Sequence, residues 1–144
     1  MKILLASDTH GHSELLYALT KIHPDCDFYL HAGDLCDYEV NVFPFIVCKG
    51  NCDFDENLME KRLIVTPYGK LLMTHIPMND EKYLIKNNIK IYVFGHLHKR
   101  CFKKIDDIYY VSPGSLCFER DKYGEGYCIL DISNDDVKVT FYDL

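Results

Sequence analysis

Short apolar runs in this chain end abruptly at clusters of Asp, His, Asn and Gly, and this alternation constrains the fold more than any other feature. Apolar runs of this length, bounded by turn-forming residues, are typical of buried strands. Ligand sites in open α/β sheets lie beyond the carboxyl ends of strands, so the clusters contain the candidate functional residues. They are Asp8-Thr9-His10, Gly33-Asp34, Gly50-Asn51-Cys52-Asp53, Thr74-His75 and Gly95-His96-Leu97-His98.

The apolar spacing predicts alternating strands and helices in the first half of the chain and mainly hairpins in the second. Helices are expected over 13–22, with Ser13 as the N-cap, and over 80–87. Strands are expected over 2–7, 27–31, 45–49, 63–66, 70–74, 89–94, 102–105, 108–111, 127–132 and 137–142. The sequence therefore predicts one α/β domain, residues 1–144, whose later strands form an antiparallel sheet.

Charge and cysteine content exclude several classes of protein. The chain has 16 Lys and Arg against 22 Asp and Glu, a formal net charge of −6. Affinity for a phosphate backbone comes from clustered cations, so this balance argues against an extended nucleic-acid surface. No apolar run approaches the roughly 20 residues of a membrane span. The seven cysteines form no C-x-x-C pair and no signal-peptide pattern is present, so we expect reduced thiols in a cytoplasmic protein.

The clusters offer carboxylate, amide and imidazole donors. Residues i and i+2 of an extended chain point to the same side, so Asp8 can converge with His10, and His96 with His98. Such donors suit divalent Mn, Fe, Ni, Co or Zn. Two Asp, one Asn and four His are too many for one catalytic ion but suit two ions that share a carboxylate. Asp34 is the best candidate for the shared ligand.

These motifs resemble those of the calcineurin-like metallophosphoesterases, particularly the small, compact bacterial and archaeal phosphodiesterase branch. They occur in the order of that family and span most of the chain. One motif alone would be weak evidence, whereas the ordered set is specific. The matching segments are D-T-H-G at 8–11, G-D at 33–34, G-N-C-D at 50–53, His75, G-H-L-H at 95–98 and S-P-G-S at 112–115.

The resemblance implies an αββα sandwich, in which two mixed β-sheets are flanked by helices. It also implies two divalent metal ions bridged by Asp34, with Mn as the favoured metal. The implied ligands are Asp8, His10 and His98 for the first ion, and Asn51, His75 and His96 for the second. The candidate catalytic residues are Asp34, Asn51, Cys52 and His96. The implied reaction is in-line attack on phosphorus by a hydroxide that bridges the two ions.

Two departures from the family pattern affect the expected chemistry. Cys52 stands where many members have the histidine of G-N-H-D/E, a candidate general acid near the leaving group. A thiol is a poorer proton donor there near neutral pH, so good leaving groups should be favoured. His75 precedes Ile76-Pro77, which departs from the more usual Gly-His. Of the other polar residues, His31 is expected to support the site from behind, and Asp53 to orient Asn51.

The sequence thus predicts a binuclear metal-dependent phosphoesterase that acts on phosphodiesters, or less favourably on small phosphate monoesters. Two alternatives stay open: a catalytically weak protein-interaction scaffold resembling the phosphoesterase-like subunit of retromer, and a nuclease of the same fold. The complete set of ligand types argues against the scaffold, and the absence of a basic groove argues against the nuclease. The short segments between motifs leave no room for a cap domain, so a small or flexible substrate is expected. The oligomeric state stays open, with a homo-oligomer among the options.

Overall fold

A computed structural model describes every residue from Met1 to Leu144 and shows two five-stranded β-sheets. The strands are β1 (Lys2–Ala6), β2 (Phe28–His31), β3 (Phe45–Val47), β4 (Lys61–Thr66), β5 (Gly69–Thr74), β6 (Ile89–Val93), β7 (Arg100–Ile105), β8 (Ile108–Pro113), β9 (Gly126–Ile132) and β10 (Val137–Asp143). The helices are α1 (Ser13–Ile22) and α2 (Glu81–Lys86). Every predicted strand and helix is present, and the predicted α/β sandwich of two mixed sheets is confirmed.

Each sheet combines parallel and antiparallel pairs, so the prediction that the later strands form an antiparallel sheet is wrong. Hairpin patterns identify only the strands adjacent in sequence, whereas β6 pairs in parallel with both β5 and β8, and β9 and β10 join β1 in the first sheet. The first has the strand order β10-β9-β1-β2-β3, and the second has the order β4-β5-β6-β8-β7. The three strands β1, β2 and β3 are parallel, as are β5, β6 and β8. The polar clusters follow the carboxyl ends of β1, β2 and β3 in one sheet and of β5 and β6 in the other. The fold therefore brings them to a common edge of the sandwich.

The two sheets face each other across an apolar core. Leu5 and Leu30 of the first sheet pack in one cluster with Met73, Ile91 and Val111 of the second, and all five are fully buried. Burying a side chain of this size stabilises a fold by about 1.5–3 kcal/mol. This packing fixes the two sheets, and with them the loops at the site, relative to each other.

One helix covers the outer face of each sheet. Leu16 and Leu19 of α1 pack in a cluster with Leu4 of the first sheet, and Leu84 of α2 packs with Tyr92 of the second. The apolar spacing of residues 13–22 agrees with the buried face of α1. Neither helix is long and apolar enough to cross a membrane.

Two local features differ from the sequence prediction. Ser13 is the first residue of α1 and not its cap: the capping position is His12, whose side chain makes no capping hydrogen bond. The Ser13 hydroxyl instead donates to the Asp37 carboxylate at 2.6 Å, because a charged acceptor in the neighbouring loop is a stronger partner than the helix end. Glu39–Val42 forms an unpredicted turn of 3₁₀ helix that is too short to show a periodicity. All seven cysteines are free thiols.

Candidate metal centre

The loops at the site have a backbone conformation that points polar side chains inward. Asp8, His10, Asp34, His96 and His98 all have positive φ, between 47° and 65°. Residues other than glycine rarely adopt this region, which costs of order 1–3 kcal/mol each and clusters at functional sites. Five such residues at one edge of the sandwich indicate that the surrounding contacts hold these side chains in place.

Those contacts join the loops after β1, β2 and β3. The Asp8 backbone N–H donates to the Gly33 carbonyl at 3.0 Å, and the His10 N–H donates to the Asp34 carbonyl at 3.0 Å. Gly50 lies against Asp34 so closely that any side chain there would collide with its carboxylate and backbone. Glycine at position 50 is what lets the third loop approach the Asp34 carboxylate.

Asp8, His10 and His98 form the first half of the site, which we call the Asp8 group. Asp8 is fully buried, and its Oδ2 accepts a hydrogen bond from Ser7 Oγ at 2.5 Å. Its Oδ1 has no hydrogen-bond donor and lies 3.1 Å from His98 Nε2. His98 Nδ1 lies 2.6 Å from the Phe118 carbonyl, so Nδ1 is the donor and Nε2 of the neutral ring directs a lone pair at Asp8. Burial raises the pKa of Asp8 although the Ser7 hydrogen bond opposes this.

His10 lies between the two carboxylates of the site. Its Nε2 is buried without a hydrogen-bond partner. This nitrogen is 4.0 Å from Asp8 Oδ1 and 4.0 Å from Asp34 Oδ2. Such spacing is too long for a direct hydrogen bond and leaves room for an ion bound by all three side chains.

Asn51, His75 and His96 form the second half, the His75 group, which faces Asp34. His75 Nδ1 donates to the Ala32 carbonyl at 2.8 Å, so Nε2 faces the site, with a lone pair in the neutral ring and a proton in the charged ring. That nitrogen lies 3.0 Å from Asn51 Oδ1, 3.3 Å from Asp34 Oδ2 and 3.3 Å from His96 Nδ1. The amide oxygen and the carboxylate are both acceptors, so they approach the lone pair of a neutral His75 ring only with a proton or a cation between them.

Asp34 carries the negative charge that both halves share. Its Oδ1 accepts from the Cys52 backbone N–H at 2.8 Å, while Oδ2 faces His75 and His10. Burial opposes ionisation of Asp34, but the hydrogen bonds from His75 and Cys52 outweigh it and hold its pKa well below the usual range. Burial lowers the pKa of His75, and its bonds to Asp34 and Ala32 more than reverse this, so that pKa is raised. The carboxylate is therefore kept ionised.

These donors fit divalent cations. Three sets of side chains have ligand atoms within 4.8 Å of one another: Asp8, His10 and His98; Asp8, Asp34 and His75; and His10, Asp34 and Cys52. Carboxylate and imidazole donors suit Mn, Fe, Co, Ni and Zn. The unpartnered Asp8 Oδ1 and His10 Nε2 are the buried atoms that an ion would satisfy. The structure brings all seven predicted ligands, and Cys52, to this one edge.

Asp53 has a different task from the one the sequence predicts. It does not bond to Asn51; its Oδ2 accepts from the backbone N–H of Asp34 at 3.0 Å and of Gly50 at 2.6 Å. Its Oδ1 accepts from the Cys36 N–H at 2.7 Å. One carboxylate therefore holds the second loop against the third, which fixes the backbone that presents Asp34.

His31 supports the site from behind, as expected. Its Nδ1 accepts from the Gly33 N–H at 3.3 Å, which makes Nε2 the protonated nitrogen that donates to Thr9 Oγ1 at 3.0 Å. Burial lowers the pKa of His31 to about 3, so the ring is neutral. Ser7 and Phe118 were missed by the sequence reasoning. The position of Ser7 directly before Asp8 could have indicated its hydrogen bond to that carboxylate. The role of the Phe118 carbonyl cannot be predicted from the sequence, because every residue has a backbone carbonyl.

A pocket of about 330 Å³ opens beside the His75 group. Asn51 and His75 form one of its walls, and Lys49, Ile76 and Met78 line the remainder together with neighbouring residues. Ile76, one of the residues that departs from the family pattern, is 54% exposed. The pocket therefore extends the site on the side of Asn51 and away from the Asp8 group.

The fold and the cluster of carboxylates and imidazoles at one edge together identify the class of protein. The model of the calcineurin-like phosphoesterase superfamily domain matches residues 1–135, so the chain belongs to that superfamily. It is 31% identical to the probable metallophosphoesterase YsnB of Bacillus subtilis, over 99% of this chain and 91% of the relative. It is 24% identical to the phosphodiesterase MJ0936 of Methanocaldococcus jannaschii, over 81% of this chain and 85% of the relative.

Solved structures show the same fold. A conserved uncharacterized protein of Streptococcus pneumoniae, a predicted phosphoesterase, superposes with a TM-score of 0.89 at 25% identity and covers 99% of this chain and 88% of its own. Wild-type Vps29 of Entamoeba histolytica, in complex with Zn²⁺, superposes with a TM-score of 0.74 at 23% identity and covers 99% of each chain. At that identity the second likeness concerns the fold alone. The comparisons support a metal-dependent phosphoesterase.

Proposed function

We propose that this protein is a binuclear metal-dependent phosphoesterase that hydrolyses phosphodiesters in preference to phosphate monoesters. The observation that carries the proposal is the convergence of potential metal ligands: the His75 Nε2 nitrogen faces Asn51 Oδ1 and Asp34 Oδ2 at 3.0 and 3.3 Å. The unpartnered His10 Nε2 adds a second such position on the other side of Asp34. Two cation positions that share one carboxylate account for both.

The proposed ligands are Asp8, His10 and His98 on one side, Asn51, His75 and His96 on the other, and Asp34 between them. Two bound divalent ions, for which Mn is our first choice, would supply a hydroxide nucleophile at neutral pH and offset the charge on the phosphate oxygens. The Nδ1 hydrogen bonds of His75 and His98 to backbone carbonyls fix the ring orientation and direct Nε2 into the site.

Cys52 sets a limit on the substrates. Burial and the nearby Asp34 carboxylate raise the pKa of its thiol, so the group stays protonated at neutral pH and gives up a proton reluctantly. Positioned general acids contribute roughly 10²–10⁴-fold, and this chain has a weak one at the position. We therefore expect esters of acidic alcohols, such as aryl phosphodiesters, to be preferred. We further propose one domain that acts in the cytoplasm, where its seven thiols stay reduced.

The test is metal reconstitution of the purified, metal-free protein with Mn²⁺, Ni²⁺ or Zn²⁺ and bis(4-nitrophenyl) phosphate as substrate. We expect release of 4-nitrophenolate that depends on the ion and exceeds release from 4-nitrophenyl phosphate. Absence of metal-dependent release with every ion would contradict the proposal and favour the scaffold alternative. A short oligonucleotide, tested in parallel, separates a nuclease from a phosphodiesterase of small substrates.

A further inference from the structure

The pocket beside the His75 group has a chemical character of its own. It shares Asn51 and His75 with the candidate metal centre, so a phosphate held there would have its substituent next to the opening. Its volume of about 330 Å³ is at the lower end of the range for small-molecule pockets and suits a short substituent. The pocket is therefore the part of the surface that can select among phosphate esters.

Two cationic side chains at this pocket have no anionic partner. Lys49 and Lys61 both line it, while the lysines that form ion pairs are Lys2 and Lys104. Glu60 also lines the pocket but is exposed and pairs with neither lysine, so the Lys and Glu side chains that line the pocket sum to plus one. Asp55, whose pKa is lowered chiefly by a backbone hydrogen bond and also by the charge of Lys49, is not among the residues that line the pocket. In a chain with a net charge of −6, unpaired cations beside the site form a local attraction for anions.

The two lysines have unequal positions. The Lys61 ammonium lies 4.4 Å from the centre of the Tyr83 ring, and Lys61 is exposed at the rim. Lys49 is half-buried, and its backbone N–H donates to the Met59 carbonyl at 2.8 Å, which anchors it two residues before Asn51. Lys49 is therefore the cation nearer in sequence to the metal centre and the better anchored of the two.

Apolar side chains complete the pocket. Ile76 and Met78 follow His75 in the sequence, and both line the pocket. An apolar wall favours a hydrocarbon linker, and a cation that lines the same pocket favours a negative charge on the substituent. The pocket thus fits a short chain with an apolar stem and an anionic end.

We propose that the substrate of this site is a phosphate ester whose substituent carries a second anionic group, a carboxylate or a phosphate, that pairs with Lys49. Lys61 contributes to the same attraction from the rim. This inference rests on the proposed phosphoesterase function, because it assumes that the reacting phosphate binds at the metal centre. It adds the class of substrate and the residue that selects it.

The test is calorimetric binding of matched phosphate esters to the Mn²⁺-loaded protein. The probe pairs are 2-carboxyethyl phosphate with propyl phosphate, and 3-carboxypropyl phosphate with butyl phosphate, which differ within each pair by one carboxylate. For at least one pair we expect the carboxylate to tighten binding roughly five-fold, the upper range for an ion pair in contact with solvent. Lys49→Gln should abolish the preference, Lys49→Arg should retain it, and Lys49→Glu should reverse it.

Lys103→Gln is the matched control, because Lys103 is an exposed lysine on β7, at the edge of the second sheet opposite to β4, which carries Lys61. It should leave the preference intact. Equal affinities within both pairs, or a preference that survives in Lys49→Gln, would overturn the inference. Failure of the wild type to hydrolyse bis(4-nitrophenyl) phosphate, with the carboxylate preference in binding retained, would overturn the phosphoesterase proposal alone. Absence of binding by all four esters would overturn the inference.

Discussion

The two halves of the candidate metal centre differ in how much of each is open to solvent. In the Asp8 group, Asp8 and His98 are buried, and the ring of Phe118 makes an edge contact with His10 at 5.6 Å between centroids. In the His75 group, Asn51 is exposed and forms part of the wall of the pocket. The first half is closed by the protein, whereas the second opens onto the space where a substrate can enter.

This difference separates two tasks. Buried carboxylates and imidazoles lose less of their attraction for a cation to solvent screening, so the Asp8 group is suited to hold an ion tightly. The exposed Asn51 amide is neutral and weakens the attraction on its side, which favours exchange of ligands there. We therefore expect the Asp8 group to retain its ion and the His75 group to meet the substrate.

Asp34 belongs to both halves, and its replacement should abolish the function of both. Asp34→Asn removes the negative charge and replaces one of the two carboxylate oxygens, of which Oδ2 faces His75 and His10 and Oδ1 accepts from the Cys52 N–H. We expect metal-dependent hydrolysis of bis(4-nitrophenyl) phosphate to fall by roughly 10³-fold or more, because the two ions lose their shared anion. Steady-state kinetics at saturating Mn²⁺ measure the loss.

The matched control for this change is Asp37→Asn. Asp37 accepts hydrogen bonds from Ser13 and Asn41 in the neighbouring loop and does not face the two groups. It should keep nearly full activity. Activity of Asp34→Asn within ten-fold of the wild type would remove Asp34 from the proposed bridging position.

The two halves can be compared directly by removing one imidazole from each. His98→Ala removes the ring nitrogen that lies 3.1 Å from the buried Asp8 Oδ1. His96→Ala removes an imidazole from the more exposed half. We expect the affinity for the most tightly bound Mn²⁺ to fall roughly 100-fold in His98→Ala and about ten-fold or less in His96→Ala. Titration of the metal-free variants, followed by calorimetry, gives both affinities.

Equal losses in the two variants would contradict the distinction between a closed and an open half. A larger loss in His96→Ala would reverse it. His12→Ala serves as the control, since His12 is exposed and its ring contacts Glu14, outside both groups.

The sequence allowed prediction of the strands, both helices and the convergence of the seven candidate ligands on one edge, because each of these residues lies at or just after the end of an apolar run. Contacts that depend on distant backbone atoms left no such signal. The acceptor of His98 is the carbonyl of Phe118, and the acceptor of His75 is the carbonyl of Ala32. Any residue at positions 118 and 32 offers a carbonyl, so only the folded chain identifies these partners.

For two side chains, the local sequence predicts the wrong hydrogen-bond partner. Ser13 is a residue type that often caps helices, but its hydroxyl donates a hydrogen bond to Asp37, which is distant in sequence. Asp53 lies two residues after Asn51, and adjacency suggested that it orients that amide, yet it holds three backbone N–H groups instead. In both cases a contact with a segment distant in sequence replaced the local one that the pattern predicted.

Asp53→Asn tests whether the three hydrogen bonds that Asp53 accepts from the loop backbone support the function of the Asp34 carboxylate. The amide retains one acceptor oxygen but presents N–H groups to backbone donors, so at least one of the three bonds is lost. We expect kcat/KM to fall by roughly 10–100-fold, the usual cost of losing a residue that orients metal ligands. Mn²⁺ affinity should fall in parallel, which a general loss of stability would not produce at temperatures well below unfolding.

Asp55→Asn is the control for this prediction. Asp55 is buried in the same loop and accepts from the backbone N–H of Glu39 and Asn57 at 3.3 and 2.9 Å, but neither bond reaches Asp34 or Gly50. Its replacement should lower stability with little effect on Mn²⁺ affinity. Equal effects of the two variants on Mn²⁺ affinity would mean that Asp53 has no special connection to the site.

Cys52, the weak proton donor, lies next to Asn51 of the open half and close to His10 and Asp34, and its replacement by histidine should add a proton donor to the site. An imidazole titrates near neutral pH and can protonate a departing alkoxide, which the thiol with its raised pKa does poorly. We expect Cys52→His to raise the turnover of ethyl phenyl phosphate about ten-fold relative to bis(4-nitrophenyl) phosphate. The nitrophenolate leaves without help, so the ratio of the two rates isolates proton donation from any change in metal binding. Cys52→Ser, which offers no acid, should leave the ratio unchanged, and a ratio that also stays constant in Cys52→His would show that no proton is delivered from this position.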